Sequence, residues 1–300
     1  MTEPFDVAVV IPHYNQPQCL RRAVAALRDQ RTERRLQVVI VDDGSRRRPT
    51  VSCSPVGSIS FDIVHAEHGG PAAARNLGLA KVAAPIVAFT DADCVPEPDW
   101  VASVVHHFEV TPTTDAITGP LVDLTKPKRL NVLHRFFHKG SILDHAPQRF
   151  SYGGVDMLGM IGANMATRTD ALRRLGGFDT AYPHPGGEDY DVALRLQLSR
   201  ATVDFVPGAI VGHDYPTSLP RLLRRWYAYG FGKEVFRDRH GLDVEDLNLG
   251  SSIVESVTNL PTLARGHFGL VGRLPAAPLL AESCFQAGAA SARRRLRANP

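Results

Sequence analysis

Four short apolar runs constrain this chain more than any other feature: VAVVIP (7–12), LQVVIVD (36–42), FDIVHA (61–66) and PIVAFTD (85–91). Each is only six or seven residues long and rich in Val and Ile, which predicts strands; the lack of polar alternation predicts burial on both faces. Between them, CLRRAVAALRDQ (19–30) carries Leu20, Val24 and Leu27 at helical spacing. PAAARNLGLAKV (71–82) reads as a helix with Pro71 in its first turn. Strands alternating with helices predict an α/β unit to about residue 120, a mostly parallel sheet with helices on both faces.

The second half is less regular. Residues 121–158 hold TKPKR and SYGG and read as loop-rich, with one helix over 131–139. MIGANMATR (160–168) predicts another strand, and TDALRRLGG a short helix with Thr169 as N-cap and Gly176 at its end. EDYDVALRLQLSR (188–200) predicts a helix that opens with acids; TVDFVP and AIVGHD predict short strands. SLPRLLRRWYAYGFGKEVFRDRH predicts an amphipathic helix partly broken at Gly230, and SARRRLRANP a basic, frayed tail. The domain division expected is 1–215, in halves 1–120 and 121–215, followed by a C-terminal helical extension over 216–300.

In open α/β sheets, ligands bind outside the carboxyl ends of the strands. Here those ends deliver IPHYN, DDGS and TDADC to one crevice. Asp42 and Asp43 stand side by side, with Gly44 allowing a sharp turn beneath them. Asp91 and Asp93 are alternate residues, so an extended segment points both the same way. Two carboxylates facing one spot call for a cation or strong donors between them, and all-oxygen ligation suggests Mg²⁺ or Mn²⁺ with substrate phosphates completing the shell. A turn-rich DADCVPEPD is the plain alternative. In HPGGEDYDVALRL, Glu188 and Asp189 fall in a first helical turn, where the dipole favours a charged carboxylate able to act as a base.

The ordered set PHYN, DDGS, AARNLGL, FTDADC, GGEDYD resembles the inverting family 2 glycosyltransferases of the GT-A fold, over about residues 7–215. The resemblance implies a metal-dependent transferase that moves one sugar from a nucleoside-diphosphate sugar to an acceptor hydroxyl. It implies that Pro12 and Tyr14 line the base pocket beside Asn15, and that Asp42 or Asp43 accepts a hydrogen bond from the base. Arg75 is expected to reach the base or a phosphate, Asp91 the ribose or sugar beside Ala92, and Asp93 the metal. Asp189 is implied as the catalytic base, with Glu188 holding the acceptor. His213, 24 residues after Asp189, is implied as a second metal ligand. Asn164, in GANMATR, is placed on the acceptor side. RRWYAYG is reminiscent of the QxxRW segment of processive synthases, which would bring Trp226 and Arg225 near the acceptor. Leu222 stands where that segment has Gln, so a single sugar per turnover is expected rather than a polymer.

A net charge of +3 is too small to argue for nucleic acid. The four cysteines form no CxxC, which argues against a zinc or disulfide framework and fits a reducing cytosol. The N-terminal apolar run lacks a basic leader and ends at Pro12, so it reads as a strand rather than a signal peptide. The location expected is cytoplasmic, with peripheral contact at the inner membrane face open because residues 217–240 and 284–297 interleave Arg with apolar residues. The acceptor class (saccharide, lipid-linked or small molecule) and a homodimer stay open. UDP is the favoured carrier, with GDP and dTDP used by relatives of this kind. The rival readings are a sugar nucleotidyltransferase, disfavoured because PHYNQPQ lacks glycine, and a non-catalytic sugar-nucleotide-binding module.

Overall fold

A computed structural model describes residues 4–124, 149–152, 155–215, 218–241 and 277–298. The helix expected over 131–139 lies outside the described residues. The first run forms β1 (Val7–His13), followed by α1 (Pro17–Arg28), which starts earlier than its apolar spacing indicates because Pro17 takes a first-turn position. Then come β2 (Leu36–Asp43), β3 (Ile59–Ala66), α2 (Pro71–Lys81) and β4 (Ile86–Phe89). β5 (Cys94–Pro96) and α3 (Trp100–Val110) follow, then β6 (Ala116–Thr118), β7 (Leu121–Asp123), β8 (Arg149–Tyr152) and β9 (Val155–Leu158). β10 (Met165–Arg168), α4 (Thr169–Arg174), α5 (Glu188–Leu198), β11 (Val203–Phe205) and β12 (Val211–His213) complete the sheet layer. Among the described residues two long helices follow, α6 (Leu219–His240) and α7 (Ala277–Ala298).

The main sheet runs β11-β6-β10-β4-β1-β2-β3. Pairings from β4 to β3 are parallel, whereas β10 runs antiparallel to both its neighbours, so the sheet is mixed. Burial on both sides is resolved residue by residue. Val7, Val9 and Ile11 of β1 pack with Leu20, Val24 and Leu27 of α1 and Trp100, Val104 and Phe108 of α3. Ala8 and Val10 face the other way, toward Ala72 and Leu79 of α2 and Val192 and Leu196 of α5. The period-two alternation of the strand thus feeds two separate cores. A smaller sheet runs β5-β12-β7, with β12 antiparallel to β5 and parallel to β7.

Several expectations are corrected. The strand expected over 160–168 begins only at Met165, because Asn164 N–H turns back to the Ile161 carbonyl. Thr169 does not cap α4; it is the first helical residue, and its hydroxyl donates to the Ala84 carbonyl. Gly230 does not break α6, which is continuous to His240. It instead admits close packing: a Cβ on Gly230 would strike the Phe285 carbonyl, and one on Gly288 the Tyr227 carbonyl. The basic segment expected to fray continues α7 to Ala298, where Arg293 bonds Glu234 of α6 at 2.7 Å. A third apolar cluster joins Leu194 of α5, Phe231, Val235 and Phe236 of α6 and Ala292 of α7, so the C-terminal helices pack against the helix that carries the acidic motif. Among the described residues, no helix is long and apolar enough to cross a membrane.

Candidate active site

The carboxyl ends of β1, β2 and β4 lie along one edge of the sheet, as the parallel pairing requires, which is where open α/β sheets bind ligands. Tyr14, just past β1, is 43% exposed and stacks on His68 with ring centroids 4.1 Å apart and planes 16° from parallel. Asn15 adopts φ 53°; its N–H donates to Ser45 Oγ and its Oδ1 accepts from Arg46 N, which ties the loops after β1 and β2 together. Pro12 is half-buried at the strand end.

The adjacent acids separate because successive strand residues face opposite sides. Asp42 lies in register with His13 of β1 and His65 of β3, and its two oxygens sit 3.2 Å and 3.1 Å from their Nδ1 atoms. Burial pushes the Asp42 carboxyl up, but hydrogen bonds from Ser45, His65 and His13 outweigh it and hold the group below its ordinary range. Asp43 faces the loop before α2, where it accepts from Gly69 N at 2.7 Å and Gly70 N at 3.0 Å and contacts His68 Nδ1 at 2.8 Å. Their mutual repulsion is therefore relieved by separate sets of donors. The histidines escape sequence reading because only strand register brings them to Asp42.

Arg75 lies on α2 and is buried to 2% exposure. Its guanidinium donates to Asp91 Oδ1 and to Glu188 Oε1, each at 2.8 Å, so it joins the TDADC turn to the start of α5. Glu188 also accepts from Gly186 N at 2.7 Å and is itself buried. The structure therefore gives both residues internal partners. Asp189 is half-buried and accepts from Gly162 N and Tyr190 N, each at 2.9 Å. Its carboxyl is pushed up to about 7, first by burial and then by the neighbouring Glu188 charge. The helix-dipole expectation of an always-charged Asp189 is thus corrected: desolvation outweighs the dipole.

On the other wall, Ala92 is buried between Asp91 and Asp93, and Asp93 Oδ1 sits 3.7 Å from His213 Nε2. Burial, and then the Arg225 charge, push the His213 imidazole down to about 3, so it is neutral and able to donate a lone pair. Cys94 completes a cluster with Asp93 and His213 in which the ligand atoms lie within 4.8 Å of one another. Arg225 lies over the rings of Tyr215 and Tyr229, 5.6 and 5.8 Å from their centroids, and its Nη1 is buried without a hydrogen-bond partner among the described residues. Its charge acts on Asp93.

Of the three residues expected on the acceptor side, Asn164 and Trp226 are, like Glu188, buried. Asn164 Oδ1 accepts from Trp100 Nε1, and its amide N–H groups donate to the Pro120 and Ala209 carbonyls, so its donors are taken up inside the fold. Trp226 packs edge-on to Tyr229 and against Phe285 of α7. Trp226 stands four residues after Leu222 on α6, a spacing that carries no information on which face α7 covers.

The sequence profile described as "Glycosyl transferase family 2" matches residues 8–176, and that described as "N-terminal domain of galactosyltransferase" matches residues 150–217. A pre-mycofactocin glycosyltransferase of Mycobacterium tuberculosis is 34% identical over 245 residues, covering 78% of this chain and 48% of the relative. The chain thus spans about half the length of the curated relatives it matches first. Among solved structures, the mannosyltransferase PcManGT from Pyrobaculum calidifontis, in complex with GDP-Man and Mn²⁺, superposes with a TM-score of 0.57 at 19% identity, covering 97% of this chain and 88% of that one. GalNAc-T7 with UDP, GalNAc and Mn²⁺ superposes with a TM-score of 0.54 at 16% identity, covering 85% and 55%. These likenesses show the fold.

Proposed function

The chain belongs to glycosyl transferase family 2 and has the GT-A fold, and on that premise we propose that it transfers one sugar from a nucleoside-diphosphate sugar to an acceptor hydroxyl with inversion. The observation that carries this reading is the Arg75 bridge, which holds Asp91 of the nucleotide half against Glu188, the neighbour of Asp189. One buried guanidinium thereby sets the donor-side acids and the base on one crevice.

Asp189 takes the acceptor proton as the hydroxyl oxygen attacks the anomeric carbon, and the bond from that carbon to the diphosphate oxygen breaks. A base near 7 suits this role at neutral pH. Tyr14 stacks on the nucleobase, in or beside its contact with His68, with Pro12 and Asn15 shaping the pocket. Asp42 or Asp43 accepts from the base, and a UDP sugar is the favoured donor. Asp91 and Ala92 flank the ribose or sugar. Arg225, with an unpartnered buried N–H beside Asp93, steadies the departing diphosphate.

Asp93 and His213 would hold Mn²⁺ or Mg²⁺. The residues fit such an ion: one His213 ring nitrogen faces Asp93 and the other is buried without a partner among the described residues. When bound, the ion neutralises charge on the diphosphate. Residues 1–215 are assigned to the transferase domain and 216–300 to a C-terminal extension, whose described helices α6 and α7 pack against α5. The acceptor is a saccharide, a lipid-linked carrier or a small molecule, and co-flotation with anionic liposomes separates the lipid case from the others.

Thermal unfolding with UDP, GDP, dTDP or CMP, each with and without Mn²⁺, tests the reading. A ligand at 100 times its Kd adds about 2.7 kcal/mol to stability. A shift with one nucleoside diphosphate that needs Mn²⁺ and disappears in Asp93→Asn is expected. A folded protein that no nucleotide stabilises, with or without the ion, overturns it.

A further inference from the structure

Cys94 follows Asp93 directly and is the first residue of β5. β5 runs antiparallel to β12, and the register sets Cys94 opposite His213. Directly opposed residues of an antiparallel pair project from the same face with Cβ atoms about 4.5–5.5 Å apart. The thiol and the imidazole are therefore neighbours by backbone construction, whatever rotamers they take. The Asp93 carboxylate, the Cys94 sulfur and a His213 nitrogen all lie within 4.8 Å of one another. Cys94 is 0% exposed and His213 2%, whereas Asp93 keeps about a quarter of its side chain open to the crevice, at 26%.

We infer that Cys94 is a third metal donor, making the site an Asp93–Cys94–His213 tripod that favours thiophilic divalent ions such as Zn²⁺ or Cd²⁺ over Mg²⁺. Zinc-type bonds of about 2.0–2.3 Å place tetrahedral donors roughly 3.4–3.8 Å apart, so the tripod closes with a contraction of about 1 Å. The three donors leave the crevice side for a fourth ligand. Softness decides the preference: carboxylate and water suit Mg²⁺ and Mn²⁺, while a thiolate draws zinc-like ions. Binding releases the Cys94 sulfhydryl proton to solvent, and the sulfur lone pair then joins the ion. Thiophilic ions occupy the position proposed for Mn²⁺ or Mg²⁺ and compete with it.

The inference rests on the metal position of the proposed function, but its test contains no nucleotide and no acceptor, so the two fail separately. Metal-free protein is titrated with Cd²⁺ and read by ultraviolet thiolate-to-metal charge-transfer absorption and by equilibrium dialysis. One Cd²⁺ per chain with a charge-transfer band is expected, unchanged in a variant carrying Cys19→Ser, Cys53→Ser and Cys284→Ser together, which leaves only Cys94. The band vanishes in Cys94→Ser, and His213→Ala weakens Cd²⁺ binding by about tenfold or more. Should Cys94→Ser misfold, the triple variant still attributes the band. Cd²⁺ bound without a band, a band lost in the triple variant, or no Cd²⁺ bound at all would each overturn the proposal.

Discussion

Arg75 and Glu188, 113 residues apart in sequence, meet in a buried ion pair 2.8 Å long. The pair crosses from α2 in the first half to the first turn of α5 in the second. Burying two charges is costly unless each is matched, so the pair binds the two halves only while both partners are present. Asp91 supplies the second match for Arg75.

Among the described residues, Arg75→Ala leaves the buried Glu188 carboxyl with the Gly186 N–H as its remaining hydrogen-bond partner. A loss of about 3–5 kcal/mol in unfolding free energy is expected, measured by urea denaturation at pH 7. A loss below about 1 kcal/mol would mean that water reaches the pair in solution.

Asp189→Asn keeps the size of the side chain but removes its proton affinity, and its single carbonyl oxygen can accept from only one of the two backbone N–H groups, Gly162 or Tyr190, that the carboxylate holds. Transfer to the acceptor should fall by about 10²–10⁴-fold while the nucleotide-induced thermal shift survives. Normal turnover in this variant would assign the base elsewhere.

The pH dependence follows from the same carboxyl. Only its ionised form accepts a proton, and its pKa is raised to about 7. The specificity constant for the acceptor should drop about tenfold per pH unit below about 7 and level off above it. The raised pKa also means that ionising Asp189 destabilises the folded state as pH rises from the unfolded carboxylate range through about 7. Asp189→Asn should therefore raise the urea midpoint at pH 8 more than at pH 4. An equal effect at both pH values would contradict the shift.

Gly230→Ala forces a methyl into the Phe285 carbonyl where α6 and α7 cross. A destabilisation of about 1–3 kcal/mol is expected, with faster protease cleavage within 277–298 as α7 loosens. Unchanged stability and protection would mean that α7 does not pack here in solution.

The strands and the first two helices were legible because their signals are local. Val and Ile runs specify extended backbone, Leu20, Val24 and Leu27 mark the body of α1, Pro71 starts α2, and the acids stand where the strands end. The order of the acidic motifs was enough to indicate the family and the fold. α3 was overlooked because Trp100, Val101, Val104, Val105 and Phe108 sit behind a turn-rich DADCVPEPD that reads as loop. The arginines of the basic tail look solvated in the sequence, whereas Arg293 has a partner on α6.

The site was legible as a set of residue types and not as a set of roles. Asp42 and Asp43 look equivalent in DDGS, yet register gives one a pair of histidines and the other a pair of backbone N–H groups. Asn164 looks like a ligand in GANMATR, but its donors are held by carbonyls from two other segments. Cys94 carries no signal in the sequence and becomes a neighbour of His213 only through the β5–β12 pairing. By itself the sequence determined where strands begin and end and which acids lie at their ends, because backbone preference and apolar periodicity are properties of a few consecutive residues. Tertiary structure alone decided which of those acids is matched, which is desolvated and which faces the crevice. Charge state and availability depend on groups brought together from distant positions and on the water they exclude.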